Sequence, residues 1–155
     1  MKNYKAYYES PIGTIEVSGN EEGVTYLDFV DKTEAIEDVP DYLKQCLKEL
    51  DEYFKGERKE FTVNCVVQGT DFQKKVWKAL MEVPYGSTET YKDVAVKTGN
   101  DKAVRAVGNA NHNNKIAIII PCHRVVGSNG KLTGYAGGLW RKEWLLEHER
   151  KCKGN

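Results

Sequence analysis

A mixed α/β fold of the α+β kind, in two parts, follows from three features of the chain. Short segments rich in aromatic and β-branched residues crowd the first 30 positions, helical periodicities dominate everything after position 70, and the charge changes sign between the two regions. Residues 1–67 carry 8 Lys and Arg against 15 Asp and Glu, and residues 68–155 carry 15 against 8, so a net charge of zero conceals an acidic half and a basic half. We therefore divide the chain into 1–67, an acidic α/β scaffold, and 68–155, a basic domain. At 155 residues, 40% of them hydrophobic, the chain is long enough to bury a core, and it shows no repeat, low-complexity tract or membrane-length apolar run.

Tyr4 to Tyr8, Ile12 to Val17 and Val24 to Val30 read as strands, with turns at Pro11-Ile12-Gly13 and Gly19-Asn20. Past an acidic polar loop, Pro40 opens a helix whose apolar face is Leu43, Leu47, Leu50 and Phe54, and Gly56 ends it. Phe61 to Val67 reads as a further strand. This half holds no cluster of His, Cys and Asp at catalytic spacing.

In the second half Thr70 and Gln73 have capping-box spacing ahead of a helix with Phe72, Val76, Leu80 and Val83 on one face. Thr90 and Asp93 repeat that device in a helix that stops at Gly99, and a third helix follows over about Asp101 to His112. Two short helices about a glycine turn make a helix-turn-helix candidate. The third helix is nearly free of large side chains at Ala103, Ala106, Gly108 and Ala110, and it sets Lys102, Arg105, Asn109 and His112 on another face. That pattern suits either a helix laid in a nucleic-acid groove or one packed tightly in a core with a solvated polar face. The basic half likewise points either to an anionic partner, nucleic acid first, or to attraction between the two halves.

Ile116 to Ile120 is a continuous apolar run, read as a buried strand or extended core segment. Pro121 stops it and delivers Cys122 beside His123. A thiol with an adjacent imidazole has the parts of an activated nucleophile, yet the bare pair equally describes a packed thiol beside a surface imidazole. Beyond it come a Ser128-Asn129-Gly130 turn, a glycine-rich loop over Gly134 to Gly138 and a last helix from about Leu139 to Arg150. The loop can wall a pocket for a flat ligand, with Tyr135 available for stacking. On the helical wheel Glu149 falls within the arc of Leu139, Leu145 and Leu146, which either asks for a buried partner, a histidine being the obvious one, or marks a frayed surface position at the chain end. The four cysteines, at 46, 65, 122 and 152, form no Cys-x-x-Cys pair, and we expect free thiols, no metal and no cofactor. The first residues lack the apolar segment of a secretory signal, so we expect a cytoplasmic protein without membrane association.

Taken in order, Tyr91, Arg105 within Arg-Ala-Val-Gly, Asn114, Pro121-Cys122-His123-Arg124-Val125-Val126, Gly134-Tyr135-Ala136-Gly137-Gly138 and Lys142-Glu143-Trp144-Leu145-Leu146 resemble the O6-alkylguanine-DNA alkyltransferases, or methylated-DNA–protein-cysteine methyltransferases. The match spans residues 70 to 150. It implies a small ribonuclease H-like α/β domain followed by a winged helix-turn-helix-like DNA-binding domain. It also implies repair of O6-alkylguanine in double-stranded DNA by a protein that acts as a monomer and consumes its own cysteine.

On that resemblance Cys122 is the acceptor, His123 deprotonates it through a water, Glu149 orients the imidazole and Asn114 braces the turn. The lesion must be flipped out of the duplex. Tyr91 matches the tyrosine that crowds the 3′ phosphate and protonates the departing guanine, and Arg105 matches the finger that fills the gap. Lys102, Ala103, Ala106, Gly108, Asn109 and Arg124 complete the expected DNA contacts, and Tyr135, Ala136, Gly137 and Val125 the alkylguanine pocket. Two positions depart from the family pattern: Ala136 stands where a side-chain donor to the base is frequent, and Lys115 where proline is common. Cys46 and Cys65 lack partners for the zinc site of some relatives. The resemblance leaves two other readings to weigh, a non-catalytic sensor of alkylated bases, which the presence of Cys122 opposes, and a cysteine hydrolase, which has no use for a basic helix-turn-helix.

Overall fold

The computed structural model describes residues 2–36 and 38–154. Its contacts gather the chain into two compact units that part between Val67 and Gln68. In the first, β1 (Tyr4–Ser10), β2 (Gly13–Asn20) and β3 (Gly23–Phe29) form an antiparallel meander in sequence order. The first turn is locked by Ser10, whose Oγ donates to the Gly13 carbonyl at 2.6 Å and accepts from the Ile12 amide at 3.1 Å. Along β2 the residues Ile15, Val17 and Gly19 are buried and their neighbours are not, the two-residue period of a sheet with one covered face. The register shifts at Ser18 and Gly19, and a Cβ on Gly19 would lie 2.6 Å from the Gly23 carbonyl oxygen, so only glycine lets the bulge close.

Helix α1 (Asp41–Phe54) packs on β1 and β2 and buries Leu43, Cys46, Leu50, Tyr53 and Phe54, while Leu47, expected inside, is half-buried. It also buries Glu49, and that carboxylate reshapes the segment after the helix. Glu49 accepts from the Thr62 amide at 2.7 Å and from the Thr62 hydroxyl at 2.5 Å. The strand expected over Phe61 to Val67 is thereby reduced to one parallel bridge, Val24 to Cys65, because a ladder would need the backbone group that Glu49 takes.

The second unit is built on helices. In α2 (Asp71–Met81) and α3 (Tyr91–Lys97) both arms of each expected capping box are made, by Thr70 with Gln73 and by Thr90 with Asp93. Helix α4 (Val104–His112) begins three residues later than expected, because Asn100 to Ala103 form a turn in which the Lys102 amide donates to Asn100 Oδ1 at 3.0 Å. Helices α2, α3 and α4 pack together, and the Trp77 indole N–H donates to the Ala110 carbonyl at 2.9 Å. Two short strands, β4 (Glu89–Thr90) and β5 (Val125–Val126), pair in parallel. Helix α5 (Leu139–Cys152) follows Gly138, whose φ is +97°. Leu139, placed on the apolar arc by the wheel, is 48% exposed; the covered face is Lys142, Leu145 and Glu149.

Ile116 to Ile120 is buried as expected but is not a strand. The run is coiled into turns, with the Ile119 amide donating to Ala117 at 2.7 Å, the Ile120 amide to Ile116 at 3.1 Å, and Ile118 at φ +69°. The cause is Asn114. Its Oδ1 accepts from the Ile116 amide at 3.0 Å, and its Nδ2 donates to the Ile120 carbonyl at 2.8 Å and the Ile116 carbonyl at 3.3 Å, so one side chain satisfies the groups a neighbouring strand would have satisfied.

Candidate functional site

The coiled run ends in a 3-10 turn, Cys122–Arg124, held by the Arg124 amide donating to the Pro121 carbonyl at 3.0 Å. A second asparagine grips it: Asn111 of α4, buried, donates from Nδ2 to the Cys122 carbonyl at 3.3 Å. Carbonyls 120 and 122 are thus tied down on either side of Pro121, which fixes the direction of the Cys122 thiol. Cys122 as a residue is 6% exposed, so its side chain is largely enclosed.

Beside it His123 is fully buried, with Nε2 2.7 Å from Glu149 Oε2. Glu149 is fully buried too, and it holds a second side chain: Arg124 donates from Nε to Oε1 at 2.7 Å and from Nη2 to Oε2 at 3.1 Å. Burial alone would raise the Glu149 carboxyl, but His123 and Arg124 outweigh it and hold the group well below the usual carboxylate range. An ionised Glu149 can only accept, so His123 carries its proton on Nε2. The lone pair is left on Nδ1, a buried atom with no hydrogen-bond partner among the described residues. The arrangement is therefore a base beside a thiol, with its tautomer set from behind.

Tyr91, the first residue of α3, brings its hydroxyl to Thr133, donating to the carbonyl at 3.4 Å and accepting from Thr133 Oγ1 at 3.3 Å. A Cβ on Gly134 would lie 3.9 Å from that hydroxyl, so the glycine loop starts at Tyr91. The loop is closed by the Gly138 amide donating to the Tyr135 carbonyl at 2.9 Å and by Arg141 donating to the Gly137 carbonyl at 3.0 Å. Ala136 is exposed, Tyr135 and Gly137 are half-buried, and Val125 lies buried in β5.

On α4 and the turn before it, Lys102, Arg105, Ala106 and Asn109 are exposed, Ala103 and Gly108 are half-buried, and a Cβ on Gly108 would meet nothing within 4 Å. The small-residue face is therefore open to an incoming surface, while Val107, Ala110 and Asn111 face inward. Arg124 is the correction to the expected DNA contacts. It is buried, with Nη1 donating to the Val83 carbonyl at 2.8 Å and the rest of the guanidinium on Glu149, and so serves the site from inside.

Sequence reasoning did not assign roles to Asn111, Lys142 or Thr133. The spacing of Lys142, Leu145 and Glu149 on one helical face was the available signal for Lys142. Among the described residues no group of three His, Cys, Asp or Glu side chains is placed to hold a metal ion, and no helix is long and apolar enough to cross a membrane.

Two family models match the chain. The DNA-binding domain of 6-O-methylguanine DNA methyltransferase covers residues 71–151, and the ribonuclease-like domain of the same family covers residues 3–65. A methylated-DNA–protein-cysteine methyltransferase from Methanosarcina acetivorans is 52% identical over 156 residues, covering 96% of this chain and 99% of its own. The crystal structure of the Mycobacterium tuberculosis O6-methylguanine methyltransferase matches with a TM-score of 0.88 at 42% identity, covering 97% of this chain and 94% of that one. The structure of Mycobacterium tuberculosis OGT in complex with DNA matches with a TM-score of 0.87 at 44% identity, over 94% of this chain and 92% of that one.

Proposed function

The chain belongs to the 6-O-methylguanine DNA methyltransferase family, and from that premise we propose that Cys122 is its alkyl acceptor, served by His123, Glu149, Asn114 and Tyr91. Its activity is the direct reversal of DNA alkylation, moving the alkyl group from the O6 of guanine to a protein cysteine. The observation that carries the assignment within the site is the buried His123–Glu149 pair directly following Cys122, whose fixed tautomer leaves one basic nitrogen, Nδ1, beside the thiol segment.

The steps follow from that geometry. A water on His123 Nδ1 relays the Cys122 proton to the imidazole, and Glu149 stabilises the imidazolium that forms. The thiolate then attacks the alkyl carbon. The carbon–sulfur bond forms as the carbon–oxygen bond breaks, and the guanine leaves with the electron pair and takes a proton from Tyr91. A thioether has no ready leaving route, so each chain acts once. The thiol is too enclosed to meet a base stacked in a duplex, which supports extrusion of the lesion before transfer. The open small-residue face of α4 supports entry of that helix into the minor groove, with Arg105 filling the gap and Lys102 and Asn109 on the backbone. Tyr135, Ala136, Gly137 and Val125 are assigned to the pocket wall, where exposed Ala136 contributes no side-chain donor and recognition rests on backbone amides. A substrate carried in cellular DNA supports the cytoplasmic location.

The test is mass spectrometry of the intact protein and its peptides after incubation with a duplex bearing a single O6-methylguanine. One methyl group per chain on the Cys122 peptide, with guanine restored and no transfer to Cys122→Ser, is expected. Binding without modification would make the protein a sensor and overturn the assignment.

A further inference from the structure

Thr133 has no task in the alkyl-transfer steps, and yet it meets Tyr91 twice. Its carbonyl accepts from the Tyr91 hydroxyl at 3.4 Å, and its Oγ1 donates to the same hydroxyl at 3.3 Å. Each bond is weak at that length, and catalytic hydrogen bonds of this kind tighten as the reacting group arrives. Together they bracket one oxygen, with an acceptor for its proton and a donor for its lone pair.

Thr133 is itself held from two other sides. Its carbonyl also takes the ammonium of Lys142 at 2.7 Å, from a side chain that is fully enclosed and lies with that ammonium 5.9 Å from the centre of the Tyr91 ring. Burial pushes the Lys142 ammonium down to about 8, which leaves it mostly charged at neutral pH. The side chain is fixed through its methyl group, since a Cβ on Gly127 would lie 3.7 Å from Thr133 Cγ2. A β-branched residue has little freedom at χ1, so a methyl seated over Gly127 leaves the hydroxyl aimed at Tyr91.

A phenol that gives its proton to the departing guanine becomes a phenolate, here on a half-buried side chain, where an unpaired charge is costly. The Thr133 carbonyl then has no proton to accept. The Thr133 hydroxyl still donates, now to an anion, which is the stronger kind of hydrogen bond.

We infer that Thr133 is a positioning residue for proton delivery: its carbonyl parks the Tyr91 proton until the lesion is in place, and its hydroxyl stabilises the oxygen that the proton has left. This inference rests on Tyr91 being the proton donor and Cys122 the acceptor. Sulfur gains the alkyl carbon, and guanine keeps the electron pair of the broken carbon–oxygen bond and gains the Tyr91 proton. The negative charge of the thiolate thus ends on the Tyr91 oxygen, beside the Thr133 hydroxyl.

The experiment follows two reactions of Cys122, single-turnover methyl transfer from a duplex bearing one O6-methylguanine and alkylation by iodoacetamide. They are measured in the wild-type protein, Thr133→Val, Thr133→Ser, Tyr91→Phe and Thr133→Val combined with Tyr91→Phe. Valine keeps the shape and the carbonyl and removes the hydroxyl. Thr133→Val is expected to slow methyl transfer about tenfold at saturating DNA, the size of one hydrogen bond to a charged group, with Ser restoring most of the rate. The half-saturating DNA concentration is expected to stay unchanged. Iodoacetamide has no guanine to protonate, so its reaction is expected to keep the wild-type rate. In the Tyr91→Phe background Thr133→Val is expected to have no further effect. The inference is overturned if the effects of the two substitutions multiply, if Thr133→Val slows both reactions equally, or if Ser is as slow as Val. It is overturned too if Thr133→Val transfers at the wild-type rate while Tyr91→Phe is slow. Failure of the readings beneath it looks different: Tyr91→Phe transferring at the wild-type rate would remove the proton donor, and an unmethylated Cys122 peptide the acceptor, and the inference falls with either.

Discussion

Without the carboxylate of Glu149, Arg124 would be left with the Val83 carbonyl and the face of the Tyr85 ring, and His123 would lose the acceptor on Nε2, all in the interior. Deleting one partner of a buried ion pair costs about 3–5 kcal/mol, because the charge left behind has neither water nor a counter-ion. Glu149→Gln is accordingly expected to lower the thermal midpoint by about 10 °C. It is also expected to slow methyl transfer at least about a hundredfold, since the amide can present its N–H to His123 and favour the wrong tautomer. A folded variant that transfers at the wild-type rate would show that His123 needs no support from behind. The same geometry explains which site residues could be read from the sequence. Cys122 and His123 are adjacent in the chain, and Glu149 announces itself by sitting among leucines on a helix. Arg124 does not, because an arginine in a basic half looks like a DNA contact until Val83, 41 positions away in the chain, is seen to lie within reach of it.

Among the elements, α2 and α3 were legible because what starts them is local: a threonine and, three residues on, a side chain that returns the hydrogen bond. The run at Phe61 to Val67 was misread as a strand, and for Ile116 to Ile120, read as a buried strand or extended core segment, the strand alternative fails, because distant or side-chain groups, Glu49 and Asn114, take the backbone partners that β-structure would use. Apolar composition and β-branching cannot reveal that competition. The two capping boxes also separate stability from function. Removing the hydroxyl in Thr70→Ala or Thr90→Ala should cost about 1 kcal/mol in each case. Thr90, however, immediately precedes Tyr91, and its amide donates to Asp93 Oδ2 at 2.9 Å while its Oγ1 accepts from the Asp93 amide at 3.0 Å. Thr90→Ala is therefore expected to slow methyl transfer as well, whereas Thr70→Ala is expected to transfer at the wild-type rate. Measured transfer rates that fall equally in the two variants would refute a positioning role for the α3 cap.

Over the whole molecule, both units are sensitive to acid and they part company in alkali. In the second unit, His123 and Arg124 hold Glu149 below the usual carboxylate range. For Glu49 in the first, burial would raise the carboxyl, but hydrogen bonds from Gln45 and Thr62 and the charge of Arg58 bring it below 4.5. Between the native and the ordinary values the unfolded chain binds protons that the native chain does not, so stability falls as the pH drops below about 4.5. On the alkaline side, burial pushes the thiols of Cys46 and Cys65 in the first unit up to about 12 and about 11. The unfolded chain gives up those protons first, and stability falls as the pH rises above about 9. Lys142 acts in the opposite sense, since at a native value of about 8 the unfolded chain binds the extra proton up to the ordinary 10.5, and stability rises through that window. All three tryptophans, Trp77, Trp140 and Trp144, lie in the second unit, so their fluorescence follows its unfolding. The tryptophan-reported midpoint is expected to fall from pH 5 to pH 3, with a shallower fall in Glu149→Gln. From pH 8 to pH 10 it is expected to stand higher relative to its pH 7 value in the wild-type protein than in Lys142→Met, from which the titrating ammonium has been removed. Parallel alkaline limbs in the two proteins would mean that the ammonium is not buried in the native state as the structure places it.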